Sequence, residues 1–400
     1  MTRPRSAVNS PVRADLVLTN GKIWTVDSKN PQAEAVAVWK GSILAVGKTH
    51  EINLLVGPKT EVIDLEGRLV LPGFTDSHTH FVYGGFHLLG VDLREARSEQ
   101  AFGELLAAKS RELPDGAWIT GGNWDHDNWP GGNYPTKELV DHYVPDRPVL
   151  VDRYDGHMSV ANSLALRMAG ITAATQDPVG GIILRQPGSG EPAGGLQDTA
   201  SKLVEEAIPP PGRAQVRQAI EKGLAHARQH GITCFHQVDL APLHLEVYQA
   251  LLEEKRLTSR IYGFIPIGSA SCLADLGIRR NFHHKEWIAI GGVKAFVDGS
   301  LGSTTALFFE PYVQDPSTSG IYLVDPLELR EQILQADKAG LQLAVHAIGD
   351  RAIHELLDTF EEMIAENGSR DRRMRVEHAQ HMPAKDFERF ARMGVIASVQ

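Results

Sequence analysis

His78 and His80 close the apolar segment Leu71-Pro72-Gly73-Phe74-Thr75-Asp76-Ser77-His78-Thr79-His80, and their spacing is one that can hold a metal ion. In an extended strand, side chains at i and i+2 point to the same side. The two imidazoles can therefore meet one ion while Thr79 faces away. Neutral imidazole is the commonest protein ligand for zinc and similar ions. The same spacing is also met by two surface histidines after a Pro-Gly turn, so the context has to decide. Two further histidines end apolar runs: His346 closes Leu-Gln-Leu-Ala-Val-His, and His378 closes Arg-Val-Glu-His. Each alone is as well explained by a hydrogen-bonded structural role. Recurring at the ends of successive apolar runs, with the spaced pair upstream, they become candidate ligands of one site.

The elements that must position these residues can be read from periodicity. Val216, Ile220, Leu224 and Ala227 share one helical face, Gly231 stops that helix, and the strand-like Ile-Thr-Cys-Phe-His-Gln-Val follows. Asp325 and Pro326 open another helix, Gly340 ends it, and the strand leading to His346 follows. Asp350 starts a third helix, closed by Gly368 before the strand of His378. Helices alternating with short, nearly continuous apolar strands predict an α/β fold with a parallel sheet covered on its outer face. Strands are expected near Phe74, Cys234, Tyr262, Phe296, Val345, Val376 and Ile396. From Asp15 to about Val70, apolar alternation broken at Asn20-Gly21, Lys40-Gly41 and Glu66-Gly67 predicts an all-β module. The Gly-, Pro- and Trp-rich stretch after His80 is too long for a plain loop and predicts an inserted subdomain.

The ordered phrases LVLPGFTDSHTH, GGVKAFVDGSLGS, LQLAVHAIGD and RVEHAQ, with ADLVLTNGKIWTVD before them, resemble the amidohydrolase superfamily. They are most similar to the branch of the YtcJ-like proteins and N-substituted formamide deformylases. The resemblance covers nearly the whole chain. It implies a (β/α)8 TIM-type barrel with a small N-terminal β-sandwich. The expected layout is a mobile tail over 1–13, the first part of the sandwich over 14–70, and the first barrel strand with the histidine pair over 71–83. An inserted subdomain over the barrel mouth spans 84–198, and the remaining βα units span 199–400. Seven strands are visible, so an eighth is expected beyond Gln400, with a helix before it and sandwich strands after it.

The resemblance also implies a site. His78, His80, His346 and His378 are its metal ligands, and two zinc ions are the expected cofactors. Lys294 in GGVKAFVDGS is expected to react with carbon dioxide and bridge the metals as a carbamate. The bland alternative for Lys294 is an ion pair with a neighbour such as Asp298. The catalytic aspartate that moves the proton is expected on the eighth strand, beyond Gln400. Trp124, Asp155 and His157 are candidates to line the substrate pocket. Trp124 is equally explained as a subdomain core residue, and the Tyr-Asp-Gly-His phrase as a turn. The remaining histidines weighed, His50, His87, His126, His142, His226, His230, His244, His283, His284 and His354, are read as surface groups or supports behind the ligands.

The implied activity is hydrolysis of a linear amide, an N-substituted formamide among the candidates, by a metal-held hydroxide. The alternatives are a cyclic-amide or ester hydrolase with the same metals, or an inactive binding or regulatory protein on that scaffold. With 42% hydrophobic and 22% charged residues the composition is that of an ordinary globular protein. The net charge of -10 disfavours nucleic acid as a partner. Cys234 and Cys272 are the only cysteines, so no disulfide framework is expected. No apolar run is long enough to span a bilayer. These readings predict a cytoplasmic enzyme with a small-molecule amide substrate and a homodimer as its possible assembly.

Overall fold

The computed structural model describes residues 12–178, 181–284, 286–302, 304–313 and 315–400. Most of the expected tail, and the side chains of His283 and His284, lie outside the described residues. The chain divides into two units, Met1–Phe74 and Thr75–Gln400.

All seven expected strands are present and neighbour one another in chain order. They are Phe74–Thr79, Ile232–Gln237, Arg260–Pro266, Ile288–Phe296, Gln342–Ala347, Arg375–His378 and Ile396–Ser398. From the second strand onward the pairing is parallel, and the short strand Phe282–His284 adds antiparallel to the fourth. This is the strand layer of a TIM-type barrel. Because helices cover the outside, the fourth and fifth strands are buried along almost their whole length.

The helices form where periodicity places them. Arg213–Gln229 buries Val216, Ile220, Leu224 and Ala227 against the sheet. It also packs against Phe81–Leu89, the helix that follows His80. That approach requires Gly85, because a Cβ there would lie 2.2 Å from the Ala219 carbonyl oxygen. Asp325 caps the helix Pro326–Lys338, its carboxylate accepting from the amides of Leu327 and Glu328. The third helix does start at Asp350, with Gly349 at the cap position, and the Asp350 carboxylate accepts from the Phe309 amide.

One guanidinium ties the sheet across its interior. Arg375, 4% exposed, donates to the Ser77 carbonyl on the first strand at 2.6 Å and to Ser398 Oγ on the seventh at 3.0 Å. It also donates to both Glu377 oxygens, at 2.6 and 2.9 Å, and to His236 Nδ1 at 2.9 Å. The two end strands of the seven are thus joined by charge-assisted bonds beneath the strand ends.

A second sheet is built from the residues between the first two barrel strands. Its strands, from Val91–Asp92 to Pro192–Asp198, form a six-stranded mixed sheet around Phe102, Trp124, Trp129 and Val151. The first unit carries a four-stranded and a three-stranded sheet, with Val17, Ala35 and Ala37 in its core. Its hairpin at Lys40-Gly41 has φ of 50° and 76°, so both residues are left-handed, as a two-residue hairpin turn demands.

Candidate metal centre

The strand ends bring the four candidate histidines together. The ring centroids of His78 and His80 are 5.8 Å apart, those of His78 and His378 5.0 Å, and those of His346 and His378 4.6 Å. At the end of its strand the backbone of His378 turns left-handed, with φ of 70° at His378 and 44° at Ala379. A non-glycine residue held there costs of order 1–3 kcal/mol, a cost that recurs at functional sites.

Each imidazole is tethered through one nitrogen. His78 Nδ1 meets Glu377 Oε2 at 2.5 Å, and His80 Nδ1 meets Asp239 Oδ2 at 2.9 Å. His378 Nδ1 meets Gln400 Oε1 at 2.6 Å, and His346 Nε2 donates to the Gly299 carbonyl at 2.9 Å. Among the described residues no hydrogen bond is recorded at the second nitrogen of His78, His80 or His378, or at Nδ1 of His346. Burial, foremost, depresses the pKa of His346 to about 4 and that of His378 below its ordinary value. Both rings are neutral near pH 7, with lone pairs to donate. This donor set suits a borderline metal such as zinc.

Lys294 lies on the fourth strand and is 4% exposed. Its Nζ sits 4.2 Å from the Phe296 ring centroid, and that ring packs against His346. Burial is the main cause of its pKa of about 8; the Glu377 carboxylate opposes the shift and the Arg375 guanidinium adds to it. The ion pair with Asp298 is not formed among the described residues. Asp298 is fully buried and accepts instead from the amides of Leu307, Ile348 and Gly349, and it approaches His346 Nε2 at 3.6 Å. Burial raises its pKa against those three bonds. It fixes the turn that carries Gly299 to His346.

The pocket candidates separate. Trp124 is fully buried and its indole N–H donates to the Val151 carbonyl, so it belongs to the subdomain core and not to a pocket wall. Asp155 pairs with Arg153 and accepts from the His157 amide, which makes it a brace of the turn. His157 pairs with Asp198 at 2.8 Å. Its Nε2 lies 3.9 Å from where a side chain on Gly302 would begin, which sets it against the loop after the fourth strand. His126, 6% exposed, is buried rather than a surface group, and His244 sits in a network with buried Gln237 and Tyr248. Asp125, His126 and Asp127 offer three ligand atoms within 4.8 Å of one another. Arg153 Nη2, 2.6 Å from Asp127 and 3.7 Å from Asp125, already supplies that group's positive charge.

Sequence reasoning passed over His236, Asp239, Arg375 and Glu377. Arg375 and Glu377 stand at i and i+2 in a strand expected to be buried, where unpaired charges are almost never found; that was a usable signal. Burial opposes ionisation of Glu377, yet the His78 and Arg375 bonds hold its pKa at about 2. His236 is depressed to about 4, first by burial and then by Arg375. A histidine buried in neutral form contributes stability that is fully present above its unfolded pKa of about 6.5 and is lost as pH falls towards 4. His236→Asn keeps an acceptor for Arg375 and removes the titration. We expect melting temperature to fall less between pH 7 and pH 5 in this variant than in the wild type. Equal slopes in a thermal melt series would contradict this.

The model of the amidohydrolase family matches residues 61–400. The chain is 40% identical over 399 residues to the protein LONG AFTER FAR-RED 3 of Arabidopsis thaliana, covering 97% of this chain and 68% of that one. It is 33% identical to the putative amidohydrolase YtcJ of Bacillus subtilis, covering 95% and 72%. To the N-substituted formamide deformylase of Arthrobacter pascens it is 28% identical, again covering 95% and 72%. Among solved structures it resembles an uncharacterized metal-dependent hydrolase from Pyrococcus furiosus, with a TM-score of 0.78 and 29% identity over 96% of this chain and 76% of that one.

Proposed function

The chain belongs to the amidohydrolase family, and from that premise we propose that it is a metal-dependent hydrolase of linear amides, with N-substituted formamides as the leading substrates. The observation that carries this reading is the convergence of four singly tethered imidazoles beside a buried, weakly basic lysine. His78, His80, His346 and His378 would hold the metal, zinc by their donor chemistry, and Lys294 would join them as a carbamate. When bound, zinc polarises a carbonyl and supplies a nucleophile near neutral pH.

The chain's own residues prepare that chemistry. Burial, which outweighs the pull of the Phe296 ring on a cation, leaves a large share of Lys294 as free amine near pH 8. The amine nitrogen can then bond to carbon dioxide, releasing one proton and becoming an anion. The Gly299 carbonyl keeps the His346 proton on Nε2 and leaves Nδ1 as the nitrogen with a lone pair. His157, beside Gly302, is the residue we assign to the substrate's outer portion.

The relative named as an N-substituted formamide deformylase supports the substrate choice. The test is a panel at equal metal loading: N-substituted formamides, longer linear amides, cyclic imides and carboxylate esters. Linear amides should lead in kcat/KM by roughly 10-fold or more, the scale that differential transition-state contacts provide. Faster turnover of imides or esters would replace the substrate class. Metal binding without turnover of any of them would leave a binding or regulatory protein on this scaffold.

A further inference from the structure

The two histidines of the HxH pair differ from His346 and His378 in what holds them. The hydrogen bonds of His346 and His378 go to neutral acceptors, a backbone carbonyl and an amide oxygen, with the Asp298 carboxylate farther off at 3.6 Å from His346 Nε2. His78 and His80 are tethered to carboxylates, and these come from two different strands: Glu377 from the sixth, Asp239 from just past the end of the second. We propose that Glu377 and Asp239 are the positioning residues of the HxH pair, fixing the proton of each ring on Nδ1 and aiming each Nε2 lone pair at the metal. The inference rests on the metal-site reading above and assigns to it two residues that touch no substrate.

Glu377 accepts two guanidinium bonds from Arg375, so it is a carboxylate and can only accept from His78. The proton between them must therefore belong to His78 Nδ1. The pair is sealed, with side-chain exposures of 9% for His78 and 0% for Glu377, and Arg375 anchors it to Ser77 and Ser398. Glu377 thus cannot swing away without leaving a buried guanidinium unpaired.

Asp239 does the same work with a looser grip. Its pair with His80 is 46% and 34% exposed, and its carboxylate contacts no guanidinium among the described residues. The His80 bond is the strongest of the contacts that favour its charged form, and the Gln237 side chain supports it from behind. A carboxylate behind an imidazole fixes the tautomer and raises the ring's donor strength, and losing it typically costs 10–100-fold in metal affinity.

The test reads tautomers and metal, not turnover. In full-length protein carrying 15N-histidine, long-range 1H–15N spectra report which nitrogen bears the proton, and His→Gln variants assign the peaks. Wild type should show His78 and His80 protonated on Nδ1. Glu377→Gln should mix the tautomers of His78 alone, and Asp239→Asn those of His80 alone. Zinc affinity, measured by chelator competition, should fall about 10–100-fold in each, with Asp239→Glu recovering most of its loss. Asp198→Asn, which breaks the similar His157 pair elsewhere, should leave zinc affinity within twofold. If Glu377→Gln fails to fold because Arg375 is left unpaired, Asp239→Asn at the half-exposed edge still decides the matter. Unchanged tautomers with zinc affinity within twofold of wild type in Asp239→Asn would overturn the proposal. Carboxylate-dependent zinc binding in a protein that cleaves no amide would sustain it while removing the proposed function.

Discussion

Replacing His78 and His80 together with alanine is expected to strip most of the bound divalent metal and to lower kcat/KM for the best amide by about 10³-fold. The magnitude follows from the several kcal/mol of charge stabilisation that a catalytic metal supplies, at roughly 1.4 kcal/mol per factor of ten. Both residues come from one strand end, and their rings lie 5.8 Å apart. Arg375 still pairs with Glu377 when His78 is removed, and a folded double variant by circular dichroism makes the loss chemical. Elemental analysis alongside circular dichroism checks this. A folded double variant with full metal content and activity would remove the HxH pair from the site.

Lys294→Ala carries the second large effect. The side chain is 4% exposed in a wall of Phe296 and His346, where a charged ammonium is disfavoured and no carboxylate pairs with it among the described residues. Removing it should lower activity by about 10²–10³-fold, because the anion that would bridge or complete the metal shell is lost. Bicarbonate with a short-chain carboxylate should restore part of that activity by occupying the vacated space. Arginine at this position should not, since its charge persists at any working pH. Wild-type activity in Lys294→Ala, or a bare amine in the electron density of metal-loaded protein, would defeat the carbamate assignment.

Much of this architecture was legible because period and position repeat. The strand-end histidines are visible as the last residues of apolar runs, and the helix faces of Val216 to Ala227 follow from spacing alone. What escaped was whatever depends on pairing between distant segments. His78 and Glu377 are 299 positions apart, and Asp239 follows the second strand by two residues with no local pattern to mark it. Trp124 shows the opposite limit. Its surroundings of Gly, Asn and Asp resemble a binding loop, but the fold turns the ring into a core with Phe102 and Trp129. Composition cannot tell a buried indole from a pocket indole, since both need one N–H partner and a large apolar contact area.

The central claim is that His78, His80, His346 and His378 form one metal centre. Zinc-soaked crystals measured on both sides of the zinc absorption edge test it most directly. The account predicts the strongest anomalous peak where the four imidazoles converge, beside Lys294. A strongest peak at Asp125, His126 and Asp127, with none among the strand-end histidines, would contradict it.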